Sequence, residues 1–388
     1  MKKAVKTKHS KKNDYTKLFD SKEIIQVIGI ILTLVVIYNL YIAFSSNILL
    51  NQKIAVAKEL SRPGELSVTS ITFADCDKCY DIDPVLDLIK SLDVNVTTEK
   101  SVSYNSEEAK SLIARYNIEK LPTMIVTGEI NKSRSFQSRF SQFGEQVEDT
   151  MIVTKQSPPY YDVGERRIVG LVTLTILEDE SCEYCTDILP IVSSLEQAGI
   201  VFKEQNAVDV SSLDGQELVN RYNIEKVPAL ILDNEAKYYG IDNSWQIFGT
   251  IEEDNYVFRN INLPYKDLST GEEKGVVHLT LIDDSTCDNC YDPNIHKSIL
   301  ARFGVVFASD KTVDVSSSEG QNLINKYNIT KIPTAVLSKG ASDYINLLNA
   351  WQQVGTIEDD GNFVFRNIEA MGRLVYRNLE SDEIVNAA

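Results

Sequence analysis

The chain has 388 residues and carries 56 Asp and Glu against 39 Lys and Arg, a net charge of −17. An acidic surface of this kind offers no basic stripe for phosphates, which argues against nucleic acid as a partner. With 43% hydrophobic residues, the chain beyond its N-terminal region is long enough for three domains of ordinary size.

Residues 1–23 hold eight lysines (Lys2, Lys3, Lys6, Lys8, Lys11, Lys12, Lys17, Lys22) against Asp14, Asp20 and Glu23, a local charge near +5 that leaves about −22 on the remainder. From Ile24 to Gln52 no residue is charged, and residues 24–44 are rich in Ile, Leu and Val over the length a helix needs to cross a bilayer. The lysine block predicts an N-terminus that stays inside and domains that are exported. Both the apolar run and the charged head are longer than in a cleaved signal peptide, so a retained single-pass anchor is expected. The form of the tail suggests a bacterial cytoplasmic membrane. Residues 45–64 should form a short helical or flexible stalk that holds the acidic remainder off an anionic lipid surface.

The six cysteines form three Cys-x-x-Cys pairs, Cys76/Cys79, Cys182/Cys185 and Cys287/Cys290, with none left over. Each first cysteine stands 46 residues ahead of a proline: Pro122, Pro228 and Pro333. Two thiols at this spacing can close a disulfide ring, hold a metal or cycle as a dithiol. Permanent disulfides belong outside the reducing cytosol, in keeping with export.

Much more than the cysteines recurs. An apolar β-type run opens each repeat (66–73, 169–177, 276–282) and ends in a polar turn at the cysteines. A helical pattern follows, with Val85, Leu86, Leu88, Ile89 and Leu92 in repeat 1. Next comes a second strand, read in repeat 2 as 201–203 with a continuation near 208–210. Ser211 or Ser212, and Ser316 or Ser317, are expected to cap the helix after it. Those helices end in Arg-Tyr-Asn-Ile, Arg-Tyr-Asn-Ile and Lys-Tyr-Asn-Ile at 115–118, 221–224 and 326–329. The cation suits the helix dipole, and Asn117, Asn223 and Asn328 sit where a left-handed residue should close the helix. After each proline another apolar strand appears, at 123–126, 229–232 and 334–337. The pattern is α/β, a mixed sheet flanked by helices.

This order of elements resembles the thioredoxin-like superfamily. Pro84 and Pro190 stand eight residues after the first cysteine, where that family places a proline that kinks the helix. Tyr116-Asn117-Ile118, Tyr222-Asn223-Ile224 and Tyr327-Asn328-Ile329 precede Leu121-Pro122, Val227-Pro228 and Ile332-Pro333 as its Tyr-Gly-Ile/Val precedes a cis-proline. The resemblance implies three tandem thioredoxin-like domains, 65–162, 163–268 and 269–388, after a basic tail (1–23), a transmembrane anchor (24–44) and a stalk (45–64). It also implies that the prolines are cis and face the cysteines. Leu121, Pro122, Val227, Pro228, Ile332 and Pro333 would then offer backbone groups to an extended partner.

The end of each repeat departs from the family. Trp245 and Trp351 begin a shared segment that closes in Val-Phe-Arg-Asn at 257–260 and 364–367, with a fainter version at 142–154. The tryptophans read as core fillers, and Asp360-Gly361 as a hairpin turn. Residues 158–162 and 264–267 read as short linkers between stacked repeats.

The resemblance also places the first cysteine at a helix start, where the dipole would favour an attacking thiolate and the second cysteine would resolve the mixed disulfide. Asp77, Glu183 and Asp288 oppose that thiolate by about 1 kcal/mol, close to what the dipole contributes. These pairs should therefore lie on the reducing side. Repeat 2 follows the pattern best; repeat 3, whose Pro293 is six residues after Cys287, follows it least. His278 and His296 read as structural rather than catalytic, and His9 belongs to the tail. The expected activity is thiol–disulfide exchange with exported cysteine-containing proteins, using redox-active disulfides and no other cofactor, with an extracytoplasmic redox partner to relay electrons. The competing reading is a non-catalytic, disulfide-stapled scaffold or binding array. Structural zinc needs four ligands, which cysteine pairs on separate domains would not supply, so no metal is expected.

Overall fold

The computed structural model describes residues 21–386; the basic tail, apart from its last three residues, lies outside them, as does His9. Ser21–Ser61 is one continuous α-helix, about 60 Å long at 1.5 Å per residue. The segment expected as anchor and the expected stalk up to Ser61 are therefore one helix, while Gly64 already opens the first strand. Among the described residues it is the one helix long and apolar enough to cross a membrane, by length and composition. Polar residues inside its apolar span turn back on their own backbone: Thr33 Oγ1 donates to Gly29 O at 2.8 Å and Asn39 Nδ2 to Val35 O at 2.7 Å. Their donors are thus satisfied without water. Just beyond the helix, Arg62 donates from both terminal nitrogens to Glu129, at 2.7 and 2.8 Å, and Lys132 donates to Glu59 at 3.1 Å. Hydrogen bonds from Arg62 hold the carboxyls of Glu59 and Glu129 below their usual range.

Packing divides the chain into two compact units. Among the described residues, one holds 21–69, Asp83–Lys100 and Ile125–Ile152; the other holds Ser70–Ile82, Ser101–Met124 and 153–386. All three cysteine pairs and their prolines lie in the second.

Each repeat contributes a five-stranded sheet with one strand order, second–first–third–fifth–fourth. In repeat 2 the strands are Val172–Glu178, Phe202–Asp209, Ala229–Leu232, Gly249–Glu252 and Asn255–Phe258; in repeat 3 they are Val277–Asp283, Phe307–Asp314, Thr334–Leu337, Gly355–Ile357 and Phe363–Phe365. The first two strands run parallel and the other pairs antiparallel. The second strand of repeat 2 is unbroken, where the sequence suggests two pieces. Its polar stretch, Lys203–Asn206, is exposed at the sheet edge, so hydrophobic periodicity could not reveal it.

Alternation along the first strand of repeat 2 sends Val172, Leu174 and Ile176 into a core with Val192, Trp245 and Tyr256. Leu177 enters a second core, with Tyr222, Ile224 and Val257. Helices thus cover both faces of the sheet, as a parallel pair buried on both sides requires. Repeat 3 repeats the scheme with Leu279, Leu281 and Trp351 on one face and Ile282, Tyr327 and Ile329 on the other. Both tryptophans are core residues, and their indoles donate to Thr250 O and Thr356 O at 3.2 and 3.1 Å.

The capping signals hold. Ser106, Ser212 and Ser317 accept from the backbone N–H three residues on, at 3.1, 3.0 and 3.0 Å, and Asn117, Asn223 and Asn328 have φ of 49°, 47° and 50°. Gly361, φ 83°, supplies the left-handed residue in the Asp360-Gly361 turn.

Leu281 is fully buried. Leu281→Ala should cost about 2–5 kcal/mol of repeat 3 stability. Urea unfolding followed by Trp351 fluorescence in a Trp245→Phe background measures this, because the chain has two tryptophans, one in each of repeats 2 and 3.

Candidate functional site

Cys76–Cys79, Cys182–Cys185 and Cys287–Cys290 are all disulfide-bonded, and the described residues include no free cysteine. The bonds Leu121–Pro122, Val227–Pro228 and Ile332–Pro333 are cis. In repeat 2 the Cys185 sulfur lies 3.7 Å from the Val227 carbonyl oxygen, so the disulfide meets the backbone ahead of the cis-proline. Each repeat has a thioredoxin-like fold. Among the described residues no group of three or more His, Cys, Asp or Glu lies together as a metal site.

The cysteines do not start helices. The helices after them begin at Asp83, Leu189 and Ile295, well beyond the second cysteines, so the dipole invoked for thiolate stabilisation is not beside the sulfur. The cause is a competing backbone partner. Tyr80 N, Thr186 N and Tyr291 N, each directly after a second cysteine, donate to Pro159 O, Pro264 O and Val375 O at 2.7, 2.8 and 2.9 Å. Groups engaged there are drawn out of a helical path. Pro84 and Pro190 accordingly sit in the first turn of their helices, where a missing N–H costs nothing, and do not kink them.

Those acceptors stand directly before a strand (Pro159, Pro264) or at its first residue (Val375), in segments that sequence reasoning treats as linkers or leaves unassigned. Tyr160–Asp162, Tyr265–Asp267 and Val375–Asn378 each join a three-stranded sheet with the two residues before a cis-proline. Leu121 pairs with Tyr161, Val227 with Lys266 and Ile332 with Arg377, all antiparallel. We call these strands straps. Two side-chain contacts recur on every strap. Lys120, Lys226 and Lys331 lie over the rings of Tyr160, Tyr265 and Tyr376, at 4.5, 4.7 and 5.2 Å from the centroids, in cation–π contact. The next strap residue reaches the position three before the first cysteine: Tyr161 stacks on Phe73 at 4.1 Å, Lys266 pairs with Asp179 at 3.5 Å, and Arg377 pairs with Asp284 at 2.8 Å.

The clasps also shape the cysteine loops. Asp179 Oδ1 accepts from Ser181 N at 2.8 Å and Asp284 Oδ1 from Thr286 N at 2.9 Å, which turns the chain into the first cysteine. Burial pushes the Asp284 carboxyl up, but hydrogen bonds from Thr286 and Arg377 outweigh it and hold the group below its usual range. The Tyr161 hydroxyl, 3.2 Å from that of Tyr104, is pushed up to about 12 by donating to it, with burial adding to the shift. In repeat 1, Gln156 Nε2 donates to Lys120 O and Pro122 O, at 3.3 and 3.1 Å, bracketing the cis-proline.

The three sites differ in access. Cys287 is buried, 8% exposed, while Cys76 and Cys182 are half-buried. Behind Cys290, Tyr291 donates its hydroxyl to Pro333 O at 2.5 Å and meets His296 Nε2 at 3.0 Å. Burial pushes His296 down to about 4, so it is neutral near pH 7. His278 lies in a strand, with Nδ1 2.7 Å from Ser309 Oγ.

The strap residues and their partners are the site residues that sequence reasoning misses. Tyr160 and Tyr265 follow the prolines at nearly equal intervals, but an extra short helix, Ile368–Met371, displaces the third strap, so the repeat is out of register where it matters.

Comparison with known proteins adds no family: no family model matches, and no curated protein matches. Structural likenesses include full-length ERdj5 (10% identity, TM-score 0.15, covering 70% of this chain and 41% of that one). Others are an N-terminal domain of alkylhydroperoxide reductase AhpF from Enterococcus faecalis (15%, TM-score 0.14, 46% and 89%) and human ERp44 (11%, TM-score 0.14, 72% and 77%). The chain spans about two fifths of the ERdj5 structure. At these TM-scores the likenesses carry no argument, and the fold assignment rests on the topology, the cysteine spacing and the cis-prolines.

Because the folded-state pKa of Asp284 is depressed, its contribution to stability is present above the ordinary aspartate range and is lost as pH falls through the depressed value. Asp284→Asn should destabilise repeat 3 at pH 7 by about 1–3 kcal/mol. The gap to wild type should close as the pH falls below about 4, which unfolding curves at a series of pH values measure.

Proposed function

We propose that this chain is a membrane-anchored thiol–disulfide oxidoreductase whose Cys-x-x-Cys pairs exchange with cysteine-containing proteins outside the cytoplasm. The observation that carries this reading is the pairing of a short-loop disulfide with a cis-proline in three repeats. In this reading 1–23 lies inside the cell, 24–44 spans a bacterial cytoplasmic membrane, 45–64 is the stalk, and 65–162, 163–268 and 269–388 are the exported domains. The apolar helix, in which Thr33 and Asn39 bond back to their own backbone, supports the anchor.

The chemistry balances within two dithiols. A partner thiolate attacks one sulfur of the Cys182–Cys185 disulfide, that bond breaks, and the other cysteine leaves as a thiolate. The partner's second thiolate then attacks the mixed disulfide. The partner ends as a disulfide and the repeat as a dithiol, with two electrons and two protons transferred; the reverse sequence reduces a partner. Without a helix N-terminus beside the sulfurs, Asp77, Glu183 and Asp288 disfavour a thiolate unopposed, which supports stable disulfides and the reducing side of the scale. A separate extracytoplasmic dithiol or disulfide protein would then reset the pairs. Half-buried Cys76 and Cys182 support repeats 1 and 2 as the more active sites, and the burial of Cys287 supports repeat 3 as the least.

One observation favours a second reading, a disulfide-stapled scaffold or binding array: the backbone edge beside each cis-proline is already paired.

Cys185→Ser should trap mixed disulfides with exported proteins on non-reducing gels, and Cys79→Ser should trap fewer or equal amounts, with Cys290→Ser the weakest. Absence of trapping in all three variants, together with alkylation that finds every pair always oxidised in the cell, would replace the enzyme reading by the scaffold.

A further inference from the structure

We infer that the strap of repeat 2 is a displaceable occupant of its cis-proline edge, so that an extended polypeptide reaches Cys182–Cys185 only when the strap leaves while a small thiol needs no such opening. The inference rests on the exchange reading above.

The geometry makes the two occupants exclusive. Val227 pairs with Lys266 and Lys226 with Asp267, so the backbone groups that would receive an incoming strand are in use. A strand and the strap cannot both pair with one edge. The strap also bonds the loop behind the disulfide, through Thr186 N and Pro264 O.

The hold is local and shallow. The strap meets the edge over two residue pairs, and Tyr265, Lys266 and Asp267 are each only half-buried. In repeat 1 both Tyr160 and Tyr161 are buried, and in repeat 3 Arg377 engages a fully buried Asp284 carboxylate. Beyond its backbone pairing with Glu273–Lys274 and the Leu268 N–Glu225 O bond at its end, the strap of repeat 2 has as side-chain holds the Lys226–Tyr265 contact and Lys266, whose ammonium pairs with Asp179 at 3.5 Å and donates to Ser181 Oγ at 3.2 Å. Segments held by few buried contacts open locally without global unfolding. There is also room along the segment that leads into this strap. A cleft of about 530 Å³ runs from Thr186, next to Cys185, past Asn262 and Leu263 to Phe303, Val306 and Tyr344. Every one of these residues lies in the second compact unit.

Moving the strap changes no covalent bond and transfers no electrons; the exchange that follows is the one written above. Only access changes.

The test uses the full chain and two probes, reduced glutathione and a short extended Ser/Thr-rich peptide with one cysteine. Thiol labelling mapped to Cys182 and Cys185 follows each reaction. Wild type should react faster with glutathione than with the peptide, by on the order of tenfold. Tyr265→Ala and Tyr265→Ser should each raise the peptide rate on the order of fivefold while the glutathione rate stays within about twofold. Amide hydrogen exchange should quicken at 265–267 in both variants and stay slow in the strand at 229–232. Wild-type strap amides that exchange like an unfolded chain would overturn the inference. So would quickened strap amides with an unmoved peptide rate, or equal acceleration of both probes. A pair that reacts with neither thiol in any variant defeats the exchange reading itself and leaves the strap no gate to be. Glutathione reactivity therefore tells the two failures apart.

Discussion

The antiparallel pairing between each strap and the two residues ahead of a cis-proline is the constraint on which the rest of the site depends. Backbone groups brought beside a buried sheet must find partners, and the strap supplies them from the same chain. A carbonyl just before the strap (Pro159, Pro264) or at its first residue (Val375) then captures the N–H that follows the second cysteine: Tyr80, Thr186 or Tyr291. That capture keeps the cysteine turn out of the helix, delays the helix start, and places Pro84 and Pro190 in a first turn. The chemistry of the sulfurs follows from it. A disulfide in a loop, with an acidic neighbour and no helix dipole, favours the oxidised pair more than one mounted on a helix start.

The three repeats meet this constraint with different side chains. Phe73–Tyr161 is a stacked pair, Asp179–Lys266 a half-screened ion pair, and Asp284–Arg377 an ion pair whose carboxylate is shut off from solvent. Position is kept while chemistry changes, which is what a geometric requirement leaves behind. The strengths differ accordingly, since a ring stack loses little in salt while a partly exposed ion pair is screened. The same gradient runs through the sulfurs: Cys287 is buried in the repeat with the tightest clasp. A likeness of sequence across three sites thus conceals sites of unequal access.

At the N-terminal end the long helix runs without a break from the apolar span into the segment expected as a stalk. Arg62, Glu59, Glu129 and Lys132 fasten its end by side chains that are mostly exposed. Such pairs contribute little stability one by one, but together they fix where the helix stops.

Short-range physics made much of this protein legible in its sequence. Periodicity of two and of 3.6 marked the strands and helices, Ser212, Ser317, Asn117 and Asn328 marked helix ends, Asp360-Gly361 marked a turn, and the even cysteine–proline interval marked the repeat. Apart from that interval, each of these signals depends on residues a few positions apart. The cis state of the three prolines entered through resemblance, and the structure has it. The straps were out of reach because their partners are about forty residues away and their own pattern, two or three mixed residues beside a proline, is also that of a linker. Whether Tyr80 N continues a helix or pairs with Pro159 O is decided by which acceptor the folded chain presents. Sequence alone therefore determined that a cysteine pair stands 46 residues ahead of a proline in each repeat. Only the tertiary structure decided that the edge between them is already occupied, because that outcome depends on a backbone pairing between distant segments that carries no residue signature.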